Sequence, residues 1–120
     1  MTKSMTKVFA ASLLLALLAG CMPVPNNAEY YGAKRALQAK GYRPGNCFGG
    51  GIVGSRTKPP FLKCETRLGI YEAVNILRNN DGSTVKMKLR GKPPRDRSYT
   101  YFTYALNPYG DVVGTARSAK

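Results

Sequence analysis

The sequence predicts an α+β domain in which one N-terminal helix packs on a small antiparallel sheet of four or five strands. Three features lead to this fold class: an amphipathic stretch after residue 27, two later stretches in which apolar and polar residues alternate strictly, and turn sequences that join neighbouring stretches as hairpins. They follow one another within 120 residues, a length that suits a single hydrophobic core.

The helix is predicted over residues 28–40. Asn26 can cap its first turn, and Glu29 follows three residues later, as in a capping box. The side chains expected on its apolar face are Tyr30, Ala33 and Leu37. Gly32 costs a helix up to about 1 kcal/mol, so this helix is expected to depend on packing against the sheet.

Residues 43–60 are predicted to form a long loop. They contain a run of three glycines and end on two consecutive prolines. A loop of this length would be flexible unless it is tethered to another part of the domain.

Residues 62–68 and 84–90 alternate between apolar and polar side chains, as half-buried strands do. Residues 70–78 fit the spacing of either a helix or a strand. We favour a strand because the sequence Asn79-Asn80-Asp81-Gly82 is typical of a turn that would join it to the next strand.

A second hairpin is predicted from a strand over residues 99–106 and a return over residues 112–116, with residues 117–120 frayed. Tyr99 and Tyr101 would share one face of the first strand, and Phe102 and Tyr104 the other. One face must join the core. The other could be exposed and bind sugar rings or a protein, or it could be packed as well.

The first 21 residues resemble the signal peptide of a bacterial lipoprotein. Lys3 and Lys7 are followed by an uncharged run over residues 8–18, which is too short to span a bilayer. The sequence Leu18-Ala19-Gly20-Cys21 is similar to the lipobox, at which a diacylglycerol is attached to the cysteine before cleavage. An ordinary secretory signal peptide is the closest alternative, and the leucine three residues before the cysteine favours the lipobox.

This resemblance implies three segments: a cleaved signal peptide over residues 1–20, a lipidated tether over residues 21–27 and a single basic domain over residues 28–120. Met22 stands where an aspartate would favour retention in the inner membrane. The resemblance therefore implies a lipid anchor in the outer membrane, on either its periplasmic or its surface side.

The same resemblance divides the three cysteines of the chain. Because Cys21 would carry lipid in an oxidising compartment, Cys47 and Cys64 are expected to form a disulfide, worth roughly 3 kcal/mol. The alternative is a pair of free or metal-binding thiols. It is disfavoured because the chain has no histidine and two cysteines alone make a poor zinc site.

Positive charge is the main chemical feature of the predicted domain. Seventeen of the nineteen lysines and arginines and all six acids lie after residue 20, which gives a net charge of +11. Either this charge serves an anionic partner or it is an ordinary solvated surface. The candidate binding residues are Lys63, Arg67, Lys86, Lys88, Arg90, Arg95, Arg97, Tyr99 and Tyr101.

The predicted partners follow from the anchor and the charge. The lipid on Cys21 would anchor the protein in the membrane, and the basic residues could bind anionic lipid, lipopolysaccharide, peptidoglycan or an envelope protein. Export disfavours nucleic acid as a partner.

The sequence favours a protein that is not an enzyme. The absence of histidine excludes histidine-based acid–base, triad and metal mechanisms, and the six acids are scattered. The glycine-rich stretch ending at Gly54 is followed by Ser55 where a phosphate-binding P-loop needs lysine. We therefore expect no catalytic residues, no metal and no cofactor.

The sequence thus predicts a membrane-anchored envelope lipoprotein that binds an anionic envelope component or an outer-membrane protein. Two alternatives stay open. One is a structural envelope lipoprotein without a specific ligand, and the other is an accessory lipoprotein of surface exclusion or of a secretion apparatus.

Overall fold

The computed structural model describes residues 22–92 and 94–120. The predicted signal peptide and the lipidation site at Cys21 lie outside the described residues. The elements, in chain order, are α1 (Asn27–Ala39), β1 (Cys47–Gly50), β2 (Phe61–Thr66), β3 (Gly69–Asn79), β4 (Gly82–Leu89), a 3₁₀ turn (Arg97–Tyr99), β5 (Tyr101–Leu106) and β6 (Val112–Ser118).

The strands form one antiparallel sheet in the order β1-β2-β3-β4-β5-β6, and the helix packs on one of its faces. The predicted fold class is confirmed, but the predicted strand number of four or five is wrong because the described sheet has six strands. The additional strand is β1, within the predicted loop. Its sequence ends on Gly49 and Gly50 and has no apolar alternation, so only its pairing with β2 identifies it.

The predicted disulfide between Cys47 and Cys64 is confirmed. The two cysteines stand opposite each other in the register of β1 and β2, with their Cα atoms 4.1 Å apart. The bond therefore links β1 to the sheet at the first residue of the strand.

The capping box of α1 is also confirmed. The Asn26 side chain accepts from the backbone N–H of Glu29 at 2.8 Å, and the Glu29 carboxylate accepts from the backbone N–H of Asn26 at 2.9 Å. Ala33 and Leu37 are fully buried beneath the sheet, and Tyr30 is half-buried.

The sheet curves around the helix. In a flat sheet of six strands the two edge strands would lie about 24 Å apart, about twice the diameter of a helix. Here α1 contacts β1 and β2 near one edge and β5 and β6 near the other. The inward face supplies the core residues of the strands: Leu62, Cys64, Tyr71, Ala73, Ile76, Val85, Met87, Leu89, Phe102, Tyr104 and Leu106.

The antiparallel order gives the domain two ends. At the upper end, the start of α1 lies beside the turns at residues 79–82 and 107–111, and the loop at residues 51–60 leaves the sheet at the same end. At the lower end, the backbone carbonyl of Tyr42, just after α1, accepts from Arg67 in the turn between β2 and β3. The lower end also holds residues 90–92, 94–100 and 119–120.

Strand β6 extends further than predicted. Ser118 pairs with Tyr101, so the pairing continues two residues past the predicted end of the strand. The prediction that residues 117–120 are frayed is therefore wrong for Arg117 and Ser118.

Candidate binding face of the sheet

The face of the sheet opposite the helix brings together five of the predicted binding residues. Side chains alternate along each strand, so the residues next in sequence to buried ones point away from the core. One row of paired residues crosses all six strands on this outer face: Phe48, Lys63, Glu72, Lys88, Tyr101 and Ser118. Lys86 lies two residues from Lys88 on the same face, and Arg90 follows the end of β4.

We name as the outer-face cluster the four bases Lys63, Lys86, Lys88 and Arg90 with the rings of Phe61 and Tyr101. The Lys86 Nζ lies 4.5 Å from the centre of the Tyr101 ring, and the Lys88 Nζ lies 5.8 Å from it. The Lys63 Nζ lies 5.6 Å from the centre of the Phe61 ring. Each contact is within the range of a cation–π interaction, worth roughly 0.5–1 kcal/mol at an exposed site.

Carboxylates neutralise only part of this cluster. The Arg90 Nε lies 3.3 Å from Glu72, a partly exposed pair of the kind that contributes at most about 1 kcal/mol. Within the described residues, neither Lys63, Lys86 nor Lys88 has a carboxylate in salt-bridge range. Their ammonium groups therefore present positive charge beside aromatic rings.

Arg67, Arg95 and Arg97 lie apart from the outer-face cluster. The Arg67 Nε donates to the carbonyl of Gly41 at 3.1 Å, which holds it against the end of the helix. Arg95 and Arg97 are exposed between β4 and β5. All three belong to the lower end, so the predicted binding set divides between two surfaces.

The prediction that Tyr99 shares a strand face with Tyr101 is wrong. Tyr99 lies in the 3₁₀ turn, where its backbone carbonyl accepts from the hydroxyl of Tyr71. Its ring packs 5.9 Å from that of Tyr42 and 4.4 Å from the guanidinium of Arg117. The strand was predicted from its run of tyrosines and threonines, and that composition does not show the turn. The turn is capped by the side chain of Asp96, which accepts from the backbone N–H of Ser98.

Tyr42 and Arg117 are lower-end residues that sequence reasoning missed. Arg117 pairs with Phe102 and so lies on the helix side of the sheet. The two residues line a cavity of about 280 Å³ together with Lys40, Phe102, Thr115 and Ala116. Tyr42 is buried, and this burial raises the pKa of its hydroxyl even though the charge of Arg117 acts against it. The predicted strand ended at residue 116, so there was no reason from sequence to place Arg117 at this cavity.

The buried carboxylate of Glu29 was predicted only as a helix cap. It is fully buried and accepts from the Arg78 guanidinium through two nitrogens at 2.7 Å and from the Ser83 hydroxyl at 2.8 Å. Burial acts to raise the pKa of Glu29, but the hydrogen bonds from Arg78, Asn26 and Ser83 and the charge of Arg78 hold it below its ordinary value. This satisfied ion pair joins α1 to the hairpin of β3 and β4.

Neither a metal site nor a membrane-spanning helix is found in residues 22–92 and 94–120. No three histidine, cysteine, aspartate or glutamate side chains in this part of the chain are grouped as metal ligands. No helix there is long and apolar enough to cross a bilayer. Comparison of the chain with protein-family models, with curated proteins and with solved structures finds no match.

Proposed function

We propose that the protein is an envelope lipoprotein, held in the outer membrane by lipid on Cys21, whose outer-face cluster binds an anionic component of the envelope. One observation carries the binding part of the proposal. Three lysine ammonium groups without carboxylate partners among the described residues stand beside two aromatic rings on a sheet face that the helix leaves open.

The chemistry of this face suits carboxylates carried on a sugar polymer. Ammonium groups attract carboxylates, and an aromatic ring such as Tyr101 can stack on the apolar face of a sugar. Peptidoglycan combines both groups, so it is the first ligand to test. The proposal does not involve catalysis, since the outer-face cluster contains no nucleophilic side chain paired with a general base.

The test is a charge-matched comparison of two triple variants. Lys63→Gln/Lys86→Gln/Lys88→Gln removes three charges from the outer-face cluster. Lys34→Gln/Lys92→Gln/Lys120→Gln removes three exposed charges elsewhere and leaves the same net charge. A lysine near an anionic surface contributes about 1 kcal/mol, so the first variant should bind purified peptidoglycan roughly a hundredfold more weakly.

The measurement is co-sedimentation with peptidoglycan over a range of salt concentrations. The control variant should bind almost as well as the unchanged protein, and raised ionic strength should weaken binding of both. Equal losses in the two variants would mean that total charge, rather than the outer-face cluster, drives binding. Anionic lipid vesicles in a parallel series would show whether phosphate-bearing lipid is the better ligand.

A further inference from the structure

The chain enters the domain at the upper end and lies against it from Met22 onward. Met22 packs on the core, and the carbonyl of Val24 accepts from the Arg78 guanidinium at 2.7 Å. Residues 22–25 of the segment predicted as a tether are half-buried, and Asn26 and Asn27 are exposed.

Exposed apolar side chains are found at this same upper end. Ile52 and Val53, at the tip of the loop between β1 and β2, are 57% and 61% exposed, and Tyr109 in the turn between β5 and β6 is 90% exposed. The lower end, as far as the structure describes it, has no exposed large hydrophobic residue. Of the two ends, only the upper one therefore has exposed large hydrophobic residues within the described chain. The remaining ones lie on the helix and the strands: Tyr31, Phe48, Val74, Leu77 and Val113.

The loop that carries Ile52 and Val53 is ordered by its own hydrogen bonds. The backbone N–H of Ile52 donates to the carbonyl of Lys58 at 2.7 Å, and the N–H of Lys58 donates to the Ser55 hydroxyl oxygen at 3.0 Å. The loop leaves and rejoins the sheet at the pair formed by Gly50 and Phe61. A loop held in this way presents its tip at a smaller entropic cost than a flexible loop would.

Basic side chains flank the apolar tip. Arg56 and Lys58 are exposed within the same loop. The exposed acids at the upper end, Asp81 and Asp111, lie in the other two turns. Apolar residues next to bases are the combination by which peripheral proteins insert into the interface of an anionic bilayer.

We infer that the upper end of the domain is a membrane-contact surface, with Ile52 and Val53 inserted between the head groups of an anionic bilayer and Arg56 and Lys58 at their phosphates. This inference rests on the proposed lipid anchor, which would leave the upper end next to the membrane because Cys21 directly precedes Met22. It also gives the domain a fixed orientation. The strands would run away from the bilayer, and the outer-face cluster would face sideways into the envelope.

The test uses tryptophan as a depth probe, since the chain has none. The predicted mature chain from Cys21 to Lys120 has, with the disulfide formed, a single free thiol at position 21. That thiol can be coupled to a maleimide phospholipid in vesicles that contain phosphatidylglycerol. Ile52→Trp then reports on the upper end, and Ala119→Trp, at an exposed lower-end position, is the matched control.

We expect the emission of Ile52→Trp to shift to the blue and to be strongly quenched by brominated lipid, while Ala119→Trp stays unquenched. In a Tyr109→Trp protein, adding Ile52→Ser and Val53→Ser should reduce the quenching of the tryptophan at position 109. Equal quenching at both ends, or none at position 52, would overturn the inference. Because the lipid is coupled to Cys21 chemically in this experiment, its outcome does not depend on whether cells lipidate Cys21. Lipidation in cells is tested separately, on cell membranes.

Discussion

Glu29 connects the helix to the β3–β4 hairpin and indirectly to the segment before the helix. Its carboxylate accepts from Asn26, Arg78 and Ser83, its backbone carbonyl accepts from the Tyr104 hydroxyl at 2.6 Å, and Arg78 also holds the carbonyl of Val24. A buried carboxylate is tolerated only when it is paired and hydrogen-bonded, as this one is.

Glu29→Gln should destabilise the protein by about 2 to 3 kcal/mol at pH 7. Loss of one partner of a buried pair costs about 3–5 kcal/mol, and the value here is lower because the Arg78 side chain is 39% exposed and can regain water. Urea denaturation measures the change. The matched control is Glu72→Gln, which removes the partly exposed partner of Arg90 and should cost less than about 1 kcal/mol.

Glu29 also makes the free energy of unfolding depend on pH in the acid range. The pKa of Glu29 in the folded protein lies below its ordinary value of 4.5, so its stabilising contribution is complete above that value and is lost as the pH falls through the lower folded pKa. Unfolding curves from pH 6 downward should therefore show a smaller pH dependence for Glu29→Gln than for the unchanged protein. An unchanged slope in the variant would contradict this role.

Among the elements, the hairpin of β3 and β4 depends on Gly82. Its φ of +128° is in a region that side chains rarely adopt, and a Cβ there would clash with the carbonyl oxygen of Leu106 in the neighbouring strand. The turn thus requires glycine for both its conformation and its packing.

Gly82→Ala should destabilise the protein by about 2–4 kcal/mol, since backbone strain and overpacking each cost roughly 1–3 kcal/mol. Gly114→Ala is the control, because Gly114 has open space around its Cα and no positive φ. Its effect should stay within about 0.5 kcal/mol. Thermal unfolding of the two variants compares them, and similar losses at both positions would show that the close contact at Gly82 is relieved elsewhere.

The elements that could be predicted from sequence are those with a strong local pattern. The capping box at Asn26, the alternation through Val85 and Met87, and the Asn79-to-Gly82 turn each correspond to an element in the structure. Strand β1 could not be predicted, because a short glycine-containing edge strand is defined by its partner and its disulfide rather than by its own side chains. The 3₁₀ turn at Tyr99 was missed for a related reason, since Tyr71 and Arg117, on other strands, contact Tyr99 in addition to the local cap by Asp96.

For the whole molecule, the candidate site was predictable only in part. Alternation alone indicated that Lys63, Lys86 and Lys88 share a face, whereas their closeness to each other follows from the register of β2, β3 and β4. Arg67 and Arg95 have the same charge but lie at the lower end because they occur in connections between strands. Composition therefore predicted the amount of charge but not its division between two surfaces.

The proposed lipid anchor would determine both the localisation of the protein and the orientation of its outer-face cluster and its two ends. The segment before the helix is packed against the domain, so lipid on Cys21 would place the upper end at the bilayer and leave the outer-face cluster and the lower end accessible to envelope components. The proposals for binding and for membrane contact thus share one premise.

Mass spectrometry of the N-terminal peptide, taken from membranes of cells that make the full chain, tests this premise most directly. We expect a peptide that begins at Cys21 and carries a thioether-linked diacylglycerol. Cys21→Ser should abolish this modification and release the domain from the outer-membrane fraction. A mature N-terminal peptide with an unmodified Cys21, or outer-membrane retention of the Cys21→Ser protein, would contradict the lipid anchor.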